Sequence, residues 1–311
     1  MKSPYNKIMV FDLETGGFYS KYNSITEIAM VAVDLESLEI VDELSIMLRP
    51  YLNLRNREID PIKEAKAIFK SIATKDEETN IKTLHYKGQS ITLKNLAILE
   101  EDIANFFIIY ENRKTKSPII MYDEFLELQK NEEIRDILNV YFDYCYNPQA
   151  LESTNISKEL LLDEGKGYEE SFGKIKRMIE KHTHGNSKPI MAGHNIGSLP
   201  RRISKKKEVP PNGFDNPFME VLFEENMEDY FDMVNDKFID TLEEARLKWY
   251  ELPNYQLGTC ANAVDITLSG AHRALADTTV NANLLIKMLK SLRGEGSQQS
   301  TYKRRKFDFN F

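Results

Sequence analysis

Two carboxylates, Asp12 and Glu14, lie two positions apart at the end of a short apolar run, residues 7–13. Alternate residues of a β-strand point to the same face, so the two side chains should lie side by side. Neighbouring carboxylates on a buried strand repel each other unless a positive charge lies between them, and a hard divalent cation supplies that charge. Taken alone, the pair is also typical of solvated acids at the end of a strand, and that interpretation stays open.

Three more candidates lie far from this pair in the chain. Asp215 precedes Pro217 at the start of a predicted helix, where it would suit an N-cap. Asp277 lies in the first turns of the last amphipathic helix, whose N-terminus favours a carboxylate, and His272 lies just before that helix. Each residue has an ordinary structural role when taken alone. Their significance lies in their combination with the first pair.

Predicted strands and helices must position these residues. Apolar runs at 7–13, 25–33 and 39–48, with a turn at 34–37, predict an antiparallel meander of three strands, and residues 189–192 predict a fourth. Helices are predicted at 60–75, 94–112, 214–223, 242–250, 256–263 and 274–292. Strands followed by alternating helices and a strand predict an α/β layered domain with a mixed sheet.

The middle of the chain and its end have a different character. Residues 113–186 are polar, with helical periodicity at 124–146 and 167–182. We expect them to form a helical elaboration of a domain that spans residues 1–293. Residues 294–311 are a low-complexity basic and aromatic tail, which should be disordered.

The motifs resemble those of a known family. They are FDLETGG at 11–17, GHN at 193–195, FDNPF at 214–218, an Asp-Thr pair at 240–241 and HRALAD at 272–277. In this order they are similar to the motifs of the DnaQ-like, or DEDDh, 3′–5′ exonucleases of the ribonuclease-H-like superfamily. That family includes polymerase proofreading subunits, ribonuclease T and oligoribonuclease. The motifs lie in residues 6–48 and 188–292, and the middle of the chain carries none of them.

The resemblance implies a fold and a set of site residues. The fold is a ribonuclease-H-like mixed sheet flanked by helices, with the helical elaboration between the third and fourth strands. His272 would be the general base, and Phe18 or Tyr19 would either stack on the terminal base or pack in the core. The ligands of two Mg²⁺ or Mn²⁺ ions would be Asp12, Glu14, Asp215 and Asp277. The substrate-binding residues would be Thr15, Gly16, Gly17, His194 and Asn195, with the glycines letting a nucleotide approach closely.

The second motif departs from the family pattern. An acid should follow the His-Asn pair closely, whereas Leu199 stands in its place and Phe-Asp comes only at 214–215. Removing residues 198–213 restores the compact motif GHNIGFDNPF, so we predict a basic insertion inside an otherwise intact site. The insertion would be a solvated loop without a role, a loop that grips substrate phosphates, or a disruption, either sequence absent from the mature protein or a lesion that abolishes activity.

The implied function is a 3′–5′ exonuclease that releases nucleoside 5′-monophosphates from the 3′ ends of single-stranded DNA or RNA. The likeness to proofreading subunits favours DNA and a place in DNA replication. One alternative is a catalytically impaired nucleic-acid-binding module, because of the insertion beside Asp215. Another is an accessory module that docks on a DNA polymerase or sliding clamp through the tail, where basic residues 303–306 precede alternating phenylalanines.

Composition sets wider limits on the function. The net charge of −8 argues mildly against a nucleic-acid partner, although basic residues gather at 198–213 and 303–306. The two cysteines make neither a disulfide framework nor a zinc site. No apolar run reaches the roughly 18–20 residues of a membrane span, and the one near the N-terminus is too short for a signal peptide. We therefore expect a cytoplasmic protein with no membrane partner.

Overall fold

A five-stranded mixed sheet forms the centre of the fold. The computed structural model describes residues 7–54, 60–77, 79–112, 117–197, 213–267 and 273–295. The strands are β1 Lys7–Thr15, β2 Ile25–Asp34, β3 Ile40–Met47, β4 Tyr51–Asn53, β5 Thr74–Lys75, β6 Lys82–Tyr86, β7 Gln89–Ile91, β8 Ile119–Met121, β9 Ile190–Gly193 and β10 Phe238–Asp240. The helices are α1 Pro61–Ile72, α2 Ala97–Glu111, α3 Tyr122–Leu128, α4 Arg135–Cys145, α5 Pro148–Thr154, α6 Lys158–Glu164, α7 Tyr168–Lys181, α8 Asp215–Glu225, α9 Tyr230–Met233, α10 Thr241–Lys248, α11 Leu257–Asn262 and α12 Ala274–Leu292. Within the described ranges, each helix is too short or too polar to cross a bilayer.

The order of strands in the central sheet is β10-β9-β1-β2-β3. β1, β2 and β3 pair antiparallel, whereas β9 and β10 run parallel to β1. The turn between β2 and β3 is held by the Asp34 carboxylate, which accepts hydrogen bonds from the backbone N–H groups of Glu36 and Ser37. The predicted meander and the predicted α/β fold with a mixed sheet are therefore confirmed.

The two faces of β1 have different partners. Ile8 and Val10 pack with Leu285 and other residues of α12, whereas Met9 and Phe11 pack against α7 and α8 on the opposite face. This alternation follows from the two-residue period of a strand. The even-numbered positions of β1 therefore face α12, and Asp12 and Glu14 continue that series beyond the apolar residues.

A second hydrophobic core lies in the elaboration between β3 and α7. It contains α1, α2 and α4, together with the small sheets β4-β8 and β5-β6-β7. These strands have two to five residues, and the sequence analysis did not predict them, because such short runs show no clear periodicity. The continuous helical pattern predicted at 124–146 is also corrected, since a turn at residues 129–134 divides it into α3 and α4.

The elaboration contacts the loop that follows β1. Gly16 accepts a hydrogen bond from the backbone N–H of Asn147 at 2.8 Å, and Ser24 donates its own N–H to the Cys145 carbonyl at 3.2 Å. A Cβ atom on Gly16 would lie only 2.1 Å from that Cys145 oxygen. Glycine is therefore required where the end of α4 meets the loop that leaves the acid-bearing strand.

Replacing Gly16 with alanine should destabilise the fold. The new methyl group would force the backbone at Cys145 to move, and overpacking of this kind costs about 1–3 kcal/mol. The matched control is Gly173→Ala, inside α7, where the nearest atom belongs to the flexible Arg177 side chain. That change should be neutral or stabilising, because alanine favours a helix interior. Urea unfolding of both variants tests the contact, and a Gly16→Ala protein as stable as the parent contradicts it.

Candidate active site

The pairing of β1 leaves room beside its last residues. Its pairs with β9 extend from Ile8 to Val10, whereas its pairs with β2 continue to Thr15. A register shift follows directly after Glu14, and irregularities of this type are common at strand ends beside active sites. Asp12 and Glu14 therefore lie on a part of β1 that one neighbouring strand no longer covers.

Three carboxylates converge at this position. One oxygen each of Asp12, Glu14 and Asp277 lies within 4.8 Å of the other two. Asp277 comes from the first turn of α12, which crosses the even-numbered face of β1. Sheet and helix thus bring together acids that are remote in sequence, in a group able to hold a metal ion.

Asp215, the second-motif acid, approaches the same strand from α8. Its Oδ1 accepts a hydrogen bond from the backbone N–H of Leu13 at 3.2 Å, between Asp12 and Glu14. Its side chain is buried, and its charge raises the pKa of Asp12. Asp215 lies outside the group of three within 4.8 Å and adjoins it through this peptide.

The residues on either side of the predicted insertion meet. Phe214 donates its backbone N–H to the Asn195 carbonyl at 2.7 Å, and Asn216 donates its side-chain amide to the Ile196 carbonyl at 2.9 Å. A Cβ atom on Gly213 would lie 1.8 Å from the Ile196 carbonyl carbon. The chain therefore returns to the point at which it departs, and α8 begins where the compact motif would place it. Residues 198–212, including Leu199, lie outside the described residues.

The Asp240 side chain binds the backbone of the segment that follows β9. Its buried carboxylate accepts hydrogen bonds from the backbone N–H groups of Asn195 at 2.9 Å, Gly197 at 2.8 Å and Leu242 at 2.9 Å. Burial raises the pKa of Asp215, and the charge of Asp240 adds to that shift. The Asp-Thr pair was predicted only as a motif, because this role of Asp240 depends on backbone groups remote in sequence.

His194 is engaged within the protein through both ring nitrogens. Its Nδ1 lies 3.0 Å from the Thr241 hydroxyl, and its Nε2 lies 2.8 Å from the Tyr255 carbonyl oxygen. Burial lowers the pKa of the ring. His194 thus links the end of β9 to the segments around α10 and α11, and the predicted substrate contacts of His194 and Asn195 stay predictions.

The loop after Glu14 begins with residues that pack against the chain and continues with two exposed aromatic residues. Thr15 donates its hydroxyl to the Gly17 carbonyl at 2.6 Å, and the space that a Cβ on Gly17 would occupy is filled by the Asn23 side chain. Other residues of the same chain therefore fill the space beside Gly16 and Gly17. Phe18 and Tyr19 are 80% and 64% exposed, which excludes the core-packing alternative for both.

Burial, and after it the repulsion between neighbouring carboxylates, disfavours the ionised forms of the acid group. Burial and the neighbouring carboxylates raise the pKa of Asp12 well above its ordinary value. The pKa of Glu14 rises to about 7 through burial and the charges of Asp277 and Glu27, with Arg273 opposing the shift. Carboxylate oxygens crowded at this spacing suit a divalent cation with oxygen ligands. The residues present therefore fit the predicted metal.

Glu27 is a residue that the sequence analysis missed. It is the cross-strand partner of Glu14 and binds both the Arg273 side chain and the backbone N–H of Ala274. The one available signal was an acid within the apolar run of β2. His272, the predicted general base, precedes Arg273 in the chain and lies outside the described residues.

The chain is similar in sequence to part of the PolC-type DNA polymerase III of several bacteria. No protein-family model matches it. It is 30% identical over 186 residues to the PolC-type DNA polymerase III of Bacillus cereus and 38% identical over 85 residues to that of Bacillus subtilis. These alignments cover 57% and 27% of this chain but only 11% and 6% of the polymerases, so the chain spans a small part of their length.

Its fold is similar to that of exonucleases. A zinc-bound complex of Escherichia coli exonuclease I with single-stranded DNA gives a TM-score of 0.51 at 14% identity, over 93% of this chain and 41% of the exonuclease. The complex with a dT13 oligonucleotide gives a TM-score of 0.50 at 14% identity, over 93% of this chain and 43% of the exonuclease. The predicted resemblance to the DnaQ-like exonucleases is confirmed. At this identity, the likeness to exonuclease I shows the ribonuclease-H-like fold.

The raised pKa of Glu14 predicts how the metal-free protein responds to pH. A carboxyl whose pKa rises from 4.5 to about 7 on folding loses its stabilising contribution as the pH rises through that interval. In EDTA, Glu14→Gln should therefore melt at nearly the same temperature as the parent near pH 4 and at a higher temperature above pH 7.

The control is Glu43→Gln, an exposed acid on β3. Differential scanning calorimetry at several pH values measures the trend. A Glu14→Gln advantage that stays constant from pH 4 to pH 8 contradicts the electrostatic account of the site.

Proposed function

We propose that the chain is a metal-dependent 3′–5′ exonuclease. The observation that carries the proposal is the group formed by Asp12, Glu14 and Asp277, whose oxygens lie within 4.8 Å of one another. Asp215 adjoins this group on the Leu13 peptide. The relatives support a nucleic-acid substrate, since they are DNA polymerases and an exonuclease bound to single-stranded DNA.

In the proposed reaction, Asp12, Glu14, Asp215 and Asp277 would hold two divalent ions, Mg²⁺ or Mn²⁺. Such ions would supply activation of the attacking water and charge stabilisation of the leaving 3′-oxygen. His272 accepts the proton of that water, since an imidazole with a pKa near neutrality suits a general base. Leu13 keeps Asp215 oriented through its backbone N–H. The product is a nucleoside 5′-monophosphate from the 3′ end.

The exposed aromatic residues support a single-stranded substrate. Phe18 follows the loop after Glu14, and its ring meets Phe214 edge to face, with centroids 6.3 Å apart. Phe214 precedes Asp215, so the pair lies between two segments that carry proposed metal ligands. We assign this pair to stacking on the terminal base, with backbone contacts from Thr15 to Gly17. Polymerase relatives favour DNA and a proofreading role in replication.

The catalytically impaired module is the competing proposal. Its motivation was the insertion, but the segments on either side of residues 198–212 meet, and Asp215 adjoins Asp12 and Glu14. These contacts favour the enzyme. Docking on a polymerase or sliding clamp through the tail stays a prediction, because residues 296–311 lie outside the described part of the chain. The cytoplasmic location also stays a prediction.

Removal of the acids should abolish catalysis. Asp12→Ala and Asp277→Ala each remove a ligand, so hydrolysis should fall by orders of magnitude while the fold is retained. Asp163→Ala, an exposed acid on α6, is the matched control. The measurement uses 5′-labelled and 3′-labelled oligonucleotides, in DNA and RNA, with EDTA and then excess Mn²⁺. A 3′–5′ enzyme gives progressive shortening of the 5′-labelled strand and immediate release of the 3′ label.

Two outcomes would overturn this proposal. One is an Asp12→Ala protein that digests both substrates as fast as the parent. The other is a parent that binds oligonucleotides without degrading them in Mg²⁺ or Mn²⁺, which would favour the impaired module.

The stacking role of Phe18 has a separate test. Phe18→Ala should weaken oligonucleotide binding by about 1–3 kcal/mol, or roughly 5–150-fold in KM, with a smaller effect on kcat. Phe18→Trp should retain binding, because a larger ring also stacks. Leu292→Ala, an exposed apolar residue at the far end of α12, is the control. Equal KM values for Phe18→Ala and the parent would exclude the stacking role.

A further inference from the structure

Glu27 is a buried acid beside the proposed metal site. It lies on β2, directly opposite Glu14 in the register of the two strands, and its side chain is only 3% exposed. On β2, the odd-numbered residues Val31 and Val33 pack with α12, so Glu27 belongs to the face that this helix covers. Burial of a carboxylate in such a place requires partners.

Its closest partners come from the start of α12, while the Ser45 hydroxyl on β3 donates to Oε1 at a longer 3.5 Å. Arg273 donates from Nε to Oε2 at 3.1 Å and from Nη2 to Oε1 at 3.2 Å, a two-pronged and charge-assisted contact. Ala274 donates its backbone N–H to Oε2 at 3.3 Å. Both oxygens of Glu27 are thus engaged by Arg273 and Ala274. In agreement, the carboxylates within 4.8 Å of one another are Asp12, Glu14 and Asp277, without Glu27.

The contact provides a hydrogen-bond acceptor that the start of α12 otherwise lacks. The first N–H groups of an α-helix have no acceptor within the helix, and Arg273, the N-cap residue of α12, makes no side-chain capping bond. Glu27 supplies an acceptor for the first of these groups from the neighbouring strand. A negative charge at this end also interacts favourably with the helix dipole. The start of α12 is therefore fastened to β2.

Asp277 lies on the turn that is fastened. Its backbone N–H donates to the Arg273 carbonyl at 3.1 Å, so the position of Arg273 and Ala274 sets the position of Asp277. Glu27 on β2 therefore both binds the start of α12 and lies opposite Glu14, a proposed metal ligand on β1.

We propose that Glu27 is a positioning residue, which holds the first turn of α12 so that Asp277 meets Asp12 and Glu14 at metal-binding distance. The inference rests on the proposed function, because it concerns the ligands of that same site. Residues that orient metal ligands typically change metal affinity or activity by about 10–100-fold when they are replaced.

The test measures Mn²⁺ binding directly, by the electron paramagnetic resonance signal of the free ion. Glu27→Gln keeps the shape of the side chain but removes its charge. Its affinity for Mn²⁺ should fall by about 10–100-fold relative to the parent. Glu43→Gln, on the exposed part of β3, should bind Mn²⁺ as the parent does. Thermal melting in EDTA establishes that each variant is folded.

A second variant separates positioning from folding. Glu27→Gln with Arg273→Gln removes both charges of this contact, so the double variant is measured if Glu27→Gln alone does not fold. Where both fold, the double variant should bind Mn²⁺ no more weakly than Glu27→Gln, because the two residues act as one unit. In turnover, kcat should fall by about 10–100-fold with KM for the oligonucleotide unchanged, and high Mn²⁺ should restore part of the rate.

The outcomes distinguish this inference from the proposed function. A folded Glu27→Gln protein with parental Mn²⁺ affinity overturns the positioning role and leaves the exonuclease proposal intact. A lowered melting temperature with parental Mn²⁺ affinity likewise assigns Glu27 to stability alone. A parent that binds Mn²⁺ but hydrolyses no oligonucleotide overturns the exonuclease and leaves the positioning test valid. A parent that binds no Mn²⁺ overturns both.

Discussion

The repulsion between carboxylates in one partly buried place is the constraint on which the rest of this structure depends. Asp12 and Glu14 are forced together by the period of β1, and α12 adds Asp277. Burial and mutual repulsion disfavour the ionised forms, as the raised pKa values of Asp12 and Glu14 show. Such a group persists because a well-packed sheet and helix hold it, and a divalent cation is the partner that would relieve it.

The surrounding backbone groups and charges make the arrangement specific. Leu13 donates an N–H to Asp215, and Asp240 accepts N–H groups from the loop that leads toward residues 198–212. Because the segments on either side of that stretch meet, a long excursion changes little at the site itself. The cost of loop closure grows only slowly with length, so the predicted insertion would cost little stability at this point.

The elaboration is joined to the site through the loop after β1. The end of α4 contacts Gly16 so closely that only glycine fits there, and the same loop exposes Phe18 and Tyr19. The second core therefore supports the segment that we assign to the terminal nucleotide. The middle of the chain carries none of the family's motifs, but through this contact it supports the loop beside the proposed site.

Local spacing predicted a large part of this protein. Apolar runs predicted β1 to β3, and helical periodicity predicted α12 with the bounds that the structure has. The set Asp12, Glu14, Asp215 and Asp277 came from the resemblance of the motifs to those of the DnaQ-like exonucleases. The strands β4 to β8 were not predicted, because runs of two to five residues are too short to show a period. The roles of Gly16 and Glu27 were decided only by tertiary structure. Their partners, at 145 and 273–274, are brought to them by the packing of helices on the sheet, and no local pattern encodes a contact between positions so far apart in the chain.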